Sequence, residues 1–282
     1  MAAPGVGARA TRQGWARAAR EYAPRPVIPL KDYNPTRRFP YVTVLIIAAN
    51  VLVFLFIQRP FSSDSQKQAE FSYRYAAVPC EVVEGRPLTP AEINQTIGQQ
   101  GNDDACDRTD PLTRSDGAFP NKQVWLAILY SMFLHGGWLH IGGNMLFLWI
   151  FGNNIEDRMG PLPYLLFYLV SGLVAAAAHI AVQPNSTVPV IGASGAIAGV
   201  MGAYLVLFPN VRIRTLLIVF LVLIRDIPAK WLLAFWFVLQ FFTSPSEGVA
   251  WVAHVGGFAF GALIAFLLRE RLRPPRTYEP AY

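Results

Sequence analysis

Apolar runs dominate this chain and limit it to the folds a membrane allows. Residues 41–57, 138–151, 162–182, 191–208, 231–242 and 251–268 are mostly Leu, Ile, Val, Phe, Ala and Gly. A helix needs about 17–25 such residues to cross the hydrocarbon layer. The runs at 162–182, 191–208 and 251–268 meet that length, and 41–57 sits near its short limit. The run 138–151 is interrupted by His140 and Asn144, and 231–242 is the core of a span that extends a residue or two at each end. Only 15% of the chain is charged, against about 25% in soluble proteins. The expected fold is an all-α membrane protein, a bundle of six transmembrane helices.

Two further runs are too short to cross. Residues 124–133 end in His135-Gly136-Gly137 and read as an interfacial or partly inserted segment. Residues 215–224 follow Arg212 and Arg214 and precede Arg225 and Lys230. Basic residues on both flanks keep both ends on the cytoplasmic face, so this run is expected to be interfacial or re-entrant. The organisation that follows is a basic, flexible cytoplasmic tail over 1–40, a helical domain over 41–268 with an extracytoplasmic insertion at 58–121, and a second basic cytoplasmic tail over 269–282.

The net charge of +6 lies mostly at the two ends. Arg37 and Arg38 before the first span, and Arg269, Arg271 and Arg273 after the last, hold both termini in the cytoplasm. Six spans satisfy that parity and seven do not. The aromatics sit in apolar runs rather than among the arginines, which excludes a nucleic-acid surface. Cys80 and Cys106 both fall in the 58–121 loop. That loop lies outside, where thiols oxidise, and a disulfide between them is expected. Neither a CxxC pair nor a Cys/His cluster with metal-ligand spacing is present, so no metal or cofactor is expected. The first forty residues lack the apolar core of a secretory signal. The Ala/Arg/Pro-rich tail fits a bacterial cytoplasmic membrane, with an organelle membrane as the alternative, since its arginines also suit a transit peptide.

Chemistry enters through polar residues inside the apolar runs. Ser194 stands in Gly192-Ala193-Ser194-Gly195, in the first turn of the fourth span, and His254 in the first turn of the sixth. Small residues pack membrane helices routinely, so the serine alone says little. An ionisable residue within a span is more telling. Spans two, four and six enter from the same side, so His140, Asn144, Ser194 and His254 fall at one depth. Neutral imidazole can take a proton from a serine hydroxyl near pH 7. Neither the fourth nor the sixth span carries a carboxylate, so the simplest reading is a Ser-His dyad. His140 and Asn144, four residues apart, share a helical face and can donate to an oxyanion, as can the Ser194 backbone N–H. Gly257 and Gly261 on the sixth span, and Gly195, Ala198, Gly199 and Gly202 on the fourth, permit close approach.

Taken together, these motifs resemble the rhomboid intramembrane serine proteases over about residues 40–270. That family carries GxSG at the start of the fourth span, here Gly192 to Gly195. It carries AHxxG in the sixth, here Ala253-His254-Val255-Gly256-Gly257, and HxxxN in the second, here His140 to Asn144. The stretch Gly152-Asn-Asn-Ile-Glu156, with Gly160, is similar to its Gly-x-x-x-Glu stretch. The resemblance implies a six-helix core, catalysis by Ser194 and His254, and cleavage of transmembrane segments of membrane-anchored proteins within the lipid bilayer. It also implies that 124–137 enters the membrane beside the site and that 231–242 acts as a lateral gate.

The chain departs from the family pattern at three points. Some members place an aromatic one turn after the serine, packed on the histidine, and Ala198 stands there instead. A Trp-Arg pair in the first loop is not evident, and that loop is larger than in minimal members. A non-catalytic relative that only binds membrane helices would be expected to lack the serine or the histidine. A transporter would be expected to carry charges within its spans or inverted repeats. Oligomeric state is not legible in the sequence.

Overall fold

Residues 27–60, 65–97, 102–108, 115–218, 222–242 and 250–272 are described by the computed structural model. The tail readings for 1–26 and 273–282 fall outside these residues. Helix α1 (Tyr41–Leu52) runs on through a π-helical segment, Val53–Gln58. Helix N-termini leave N–H groups without intrahelical partners, and here Glu156 serves them. Its carboxylate accepts from Val42 N at 2.9 Å, Thr43 N at 2.8 Å and Thr43 Oγ1 at 2.7 Å. Beside it, Asp157 accepts from the backbone of Arg37 and Arg38. The carboxylates also complement the positive end of the helix dipole. Glu156 is 3% exposed, so Glu156→Ala would strand buried donors. A loss of about 3 kcal/mol is expected, read as a lower thermal-unfolding midpoint in detergent; an unchanged midpoint contradicts the assignment.

Three short helices, α2 (Ser65–Tyr75), α3 (Pro79–Glu84) and α4 (Pro90–Ile97), form a small unit around Tyr73, Val78, Cys80 and Leu88. The Cys80–Cys106 disulfide closes it, as the sequence leads one to expect. Glu92 accepts from Arg86 Nη2 at 2.7 Å and from the backbone N of Thr89 and Asp107 at 2.7 Å each. Glu81 and Lys122 form a buried ion pair.

This unit grips the segment that leads to Ser194. Cys80 N donates to Ser186 O at 3.0 Å, Thr187 N to Asp103 O at 2.8 Å and Val190 N to Ala77 O at 2.8 Å. Ser131 then links both sides: its Oγ accepts from Ala77 N at 2.7 Å and its carbonyl from Gly192 N at 2.9 Å.

Helix α5 (Val124–Ser131) precedes α6 (Trp138–Phe147), which continues through a π-helical stretch, Leu148–Gly152, into α7 (Asn153–Met159). The polar segment from Gly152 is helical as far as Met159, and the chain turns at Gly160 with φ 83°. Helix α8 (Pro161–Val182), α9 (Ser194–Leu207), α10 (Ala229–Gln240), α11 (Trp251–Leu267) and α12 (Arg269–Leu272) are the remaining helices among the described residues. Helix α9 is the axis of the packing: Gly195 to Tyr204 are all buried, with Tyr164, Tyr168 and Phe151 in the same core. Leu139, Leu162, Leu166, Phe235 and Phe266 point outward and are exposed, an apolar exterior suited to lipid. Tyr41–Gln58, with 18 residues, and Pro161–Val182, with 22, are long and apolar enough to cross a membrane, and the helices from Ser194, Ala229 and Trp251 are shorter apolar helices.

The chain is mostly helical but not all-α. Strands β1 (Val27–Asp32), β2 (Arg212–Ile218) and β3 (Val222–Pro228) form an antiparallel sheet in the order β1-β2-β3. Val27 pairs with Leu217 and Asp32 with Ile213, across a bulge at Pro29/Lys31, while Arg212 pairs with Pro228 and Ile218 with Val222. Within the 215–224 run, residues 215–218 and 222–224 thus lie in two paired antiparallel strands, a conformation that its length and basic flanks do not disclose. Arg212, Ile213, Arg214 and Thr215 alternate exposed and buried, the period of two proper to a strand. Residues 27–32, read as part of a flexible tail, are likewise a strand. Asp32 anchors it to the helices, accepting from Asn154 Nδ2 at 2.7 Å and Tyr204 Oη at 3.0 Å.

Candidate active site

Gly192 sets the entry to α9. Its φ of +126° is a conformation that side chains rarely adopt, and a Cβ there would lie 2.9 Å from His140 Nε2 and 3.5 Å from Ser194 Oγ. Glycine therefore lets the chain turn into the helix directly beneath the His140 ring. An Ile197 N to Ala193 O bond of 3.0 Å opens the helical ladder, and the Ser194 N–H precedes it.

His254, in the first turn of α11, places Nε2 at 2.8 Å from Ser194 Oγ. The two residues are 60 positions apart and meet because their helices touch backbone to backbone. A Cβ on Gly257 would fall on the carbonyl oxygen of Gly195, and one on Gly261 on that of Gly199. Gly195 in turn faces Ala175 of α8, whose Cβ would be 2.6 Å from a side chain placed there.

The remaining nitrogen of His254 has a partner that the sequence did not disclose. Nδ1 lies 2.7 Å from Oε1 of Gln240, the final residue of α10. The Trp236 ring packs over the same histidine, with centroids 5.8 Å apart. In the fold, the aromatic missing at Ala198 is supplied from the neighbouring helix, and a hydrogen bond fixes the ring.

His140 accepts a bond from Gly136 N at Nδ1, 3.1 Å away. Nδ1 is therefore the unprotonated nitrogen, and Nε2, the atom facing Gly192, carries the hydrogen. A donor thus borders the space beside Ser194 Oγ. Asn144, also buried, donates from Nδ2 to His140 O at 2.9 Å and so steadies that turn; one of its two amide hydrogens is spent there. His135 is 2% exposed, with its ring centroid 5.2 Å from that of His140. Gln58 bonds its backbone, accepting from His135 N at 2.9 Å and donating to His135 O at 3.0 Å. His179 is buried in the last turn of α8.

A helical bundle with an apolar exterior, holding a serine and a histidine at the heads of two helices in backbone contact, describes a membrane protein with a hydrolase-like site. The Rhomboid domain model matches residues 121–271, more than half of the chain, and the chain belongs to the rhomboid family, whose members are integral membrane proteins. It is 31% identical to the putative rhomboid protease YdcA of Bacillus subtilis, over 52% of this chain and 69% of that one. It is 28% identical to the mitochondrial rhomboid protein 1 of Saccharomyces cerevisiae, over 54% of this chain and 44% of the relative. With the chloroplastic rhomboid-like protein 11 of Arabidopsis thaliana it shares 36% identity over 29% of each chain. The matches thus span less than half of the yeast and Arabidopsis proteins.

Proposed function

We propose that the protein is an intramembrane serine endopeptidase, cleaving transmembrane segments of membrane-anchored proteins with Ser194 as nucleophile and His254 as general base. The 2.8 Å contact between Ser194 Oγ and His254 Nε2 carries this reading. His254 takes the hydroxyl proton as Oγ attacks the scissile carbonyl, forming a C–O bond and a tetrahedral oxyanion. The same histidine then gives that proton to the leaving amine as the C–N bond breaks, leaving an acyl-enzyme on Ser194. A water, deprotonated by His254, hydrolyses the ester and frees the serine.

The oxyanion is met by His140 Nε2–H and the Ser194 N–H, with Asn144 in support. Removing one such donor costs about 10²–10³-fold in rate. His140→Ala is therefore expected to lower kcat by that factor with little change in KM. A loss confined to KM would assign His140 to substrate binding instead.

In this reading α1, α6, α8, α9, α10 and α11 are the six spans, both termini are cytoplasmic, and the disulfide-closed unit lies outside. The host is a bacterial cytoplasmic membrane, supported by the basic Ala/Arg/Pro-rich tail; recovery in an organelle membrane fraction would overturn that placement. The activity is tested with the purified protein in proteoliposomes and a fluorogenic transmembrane substrate. Wild type is expected to cleave it and Ser194→Ala to leave it intact. Equal cleavage by Ser194→Ala would remove the serine from the mechanism.

A further inference from the structure

We propose that Gln240 is a positioning residue that fixes the tautomer and ring orientation of His254 within the Ser194–His254 dyad. The proposal rests on the reading of Ser194 and His254 given above. A neutral imidazole carries one hydrogen, and only the form with the hydrogen on Nδ1 leaves Nε2 free to accept from Ser194. Nothing intrinsic to a membrane-buried ring secures that form.

Gln240 secures it through a second bond. Its Nε2 donates to the Trp236 carbonyl oxygen at 3.0 Å. A carbonyl can only accept, so the amide nitrogen must face Trp236 and Oε1 must face His254. Oε1 is likewise only an acceptor, and it sits 2.7 Å from Nδ1. The hydrogen is therefore on Nδ1, and the lone pair of Nε2 is directed at Ser194 Oγ, 2.8 Å away. Flipping the amide would set two carbonyl oxygens against each other at Trp236 and turn a donor toward Nδ1, stabilising the unproductive tautomer. Gln240 is 7% exposed, so little water competes for these bonds. When His254 becomes an imidazolium during attack, the Nδ1–H to Oε1 bond persists and strengthens, because its donor is then charged.

The role separates glutamine from residues of similar shape. Gln240→Met keeps the length and loses both polar atoms. Gln240→Glu retains an acceptor toward Nδ1 in either protonation state, and its acid form also donates to Trp236 O. With the transmembrane substrate, Gln240→Met is expected to lower kcat about 10- to 100-fold, as fits the loss of one buried orienting hydrogen bond, with KM nearly unchanged. Gln240→Glu is expected to recover kcat to within about threefold of wild type. Full kcat in Gln240→Met, or a Glu variant no better than Met, overturns the proposal. Should Gln240→Met fail to fold, Gln240→Glu decides alone: near-wild-type kcat supports the positioning role, and a loss as large as that expected for Met overturns it. Ser194→Ala is run alongside. If that variant is also active, the dyad reading has failed; if it is inactive while Gln240→Met is fully active, only the role of Gln240 has.

Discussion

His254→Ala is expected to reduce kcat/KM by about 10⁴-fold or more, the scale seen when a serine hydrolase loses its base. The geometry explains the size. Ser194 Oγ has one basic neighbour in the contacts described, the His254 ring at 2.8 Å, and His140 cannot substitute because its Nδ1 is occupied by Gly136 N. Without a base the hydroxyl remains a poor nucleophile. The variant is expected to stay folded, since α9 and α11 are held by glycine-mediated backbone contact rather than by the imidazole. Comparing initial cleavage rates with the thermal-unfolding midpoint separates the two effects. Substantial cleavage by a folded His254→Ala protein would mean that another group takes the proton.

The second large effect lies one turn along the same helix. Gly257→Val places a branched side chain where the Gly195 carbonyl oxygen already stands. The obstacle is backbone, which cannot rotate aside, so the helices must separate or the fold must yield. Overpacking of a tight contact costs about 1–3 kcal/mol and occasionally more, and any separation pulls His254 away from Ser194. A fall in the unfolding midpoint and a loss of cleavage of at least about 100-fold are expected together, because catalytic geometry tolerates little displacement. Ala259→Val, on the exposed side of α11, supplies the control and is expected to leave both unchanged. A Gly257→Val protein with normal activity would show that close approach of the two helices is not what builds the site.

Much of the site was legible because its chemistry conflicts with its surroundings. A serine between glycines, and histidines inside apolar runs, stand out against a background that packing alone explains. The parity of the spans then placed them at one depth. Gln240 did not stand out. It closes an apolar helix, where a polar residue reads as a boundary, and its partner is 14 positions away on the next helix. Only the fold shows that its amide faces inward. His135 escaped for a similar reason: its backbone N–H and carbonyl are both bonded by Gln58, 77 residues earlier in the chain.

Asn144 was singled out, but one of its two amide hydrogens goes to the His140 carbonyl, a bond that residue spacing does not distinguish from an oxyanion contact. The sheet was missed because 215–224 was judged as a membrane segment by length. Its two-residue alternation at Arg212 to Thr215 was the available signal, and the pairing with 27–32 lies almost two hundred residues away, at Val27 and Leu217.

Ser194 is proposed as the nucleophile. Its most direct test is covalent: the purified protein is treated with a fluorophosphonate, which phosphonylates an activated serine, and the adduct is located by peptide mass spectrometry. One adduct per chain on Ser194, absent from Ser194→Ala and strongly slowed in His254→Ala, is the predicted result. An adduct on a different serine, or equal labelling of Ser194→Ala, would contradict the account.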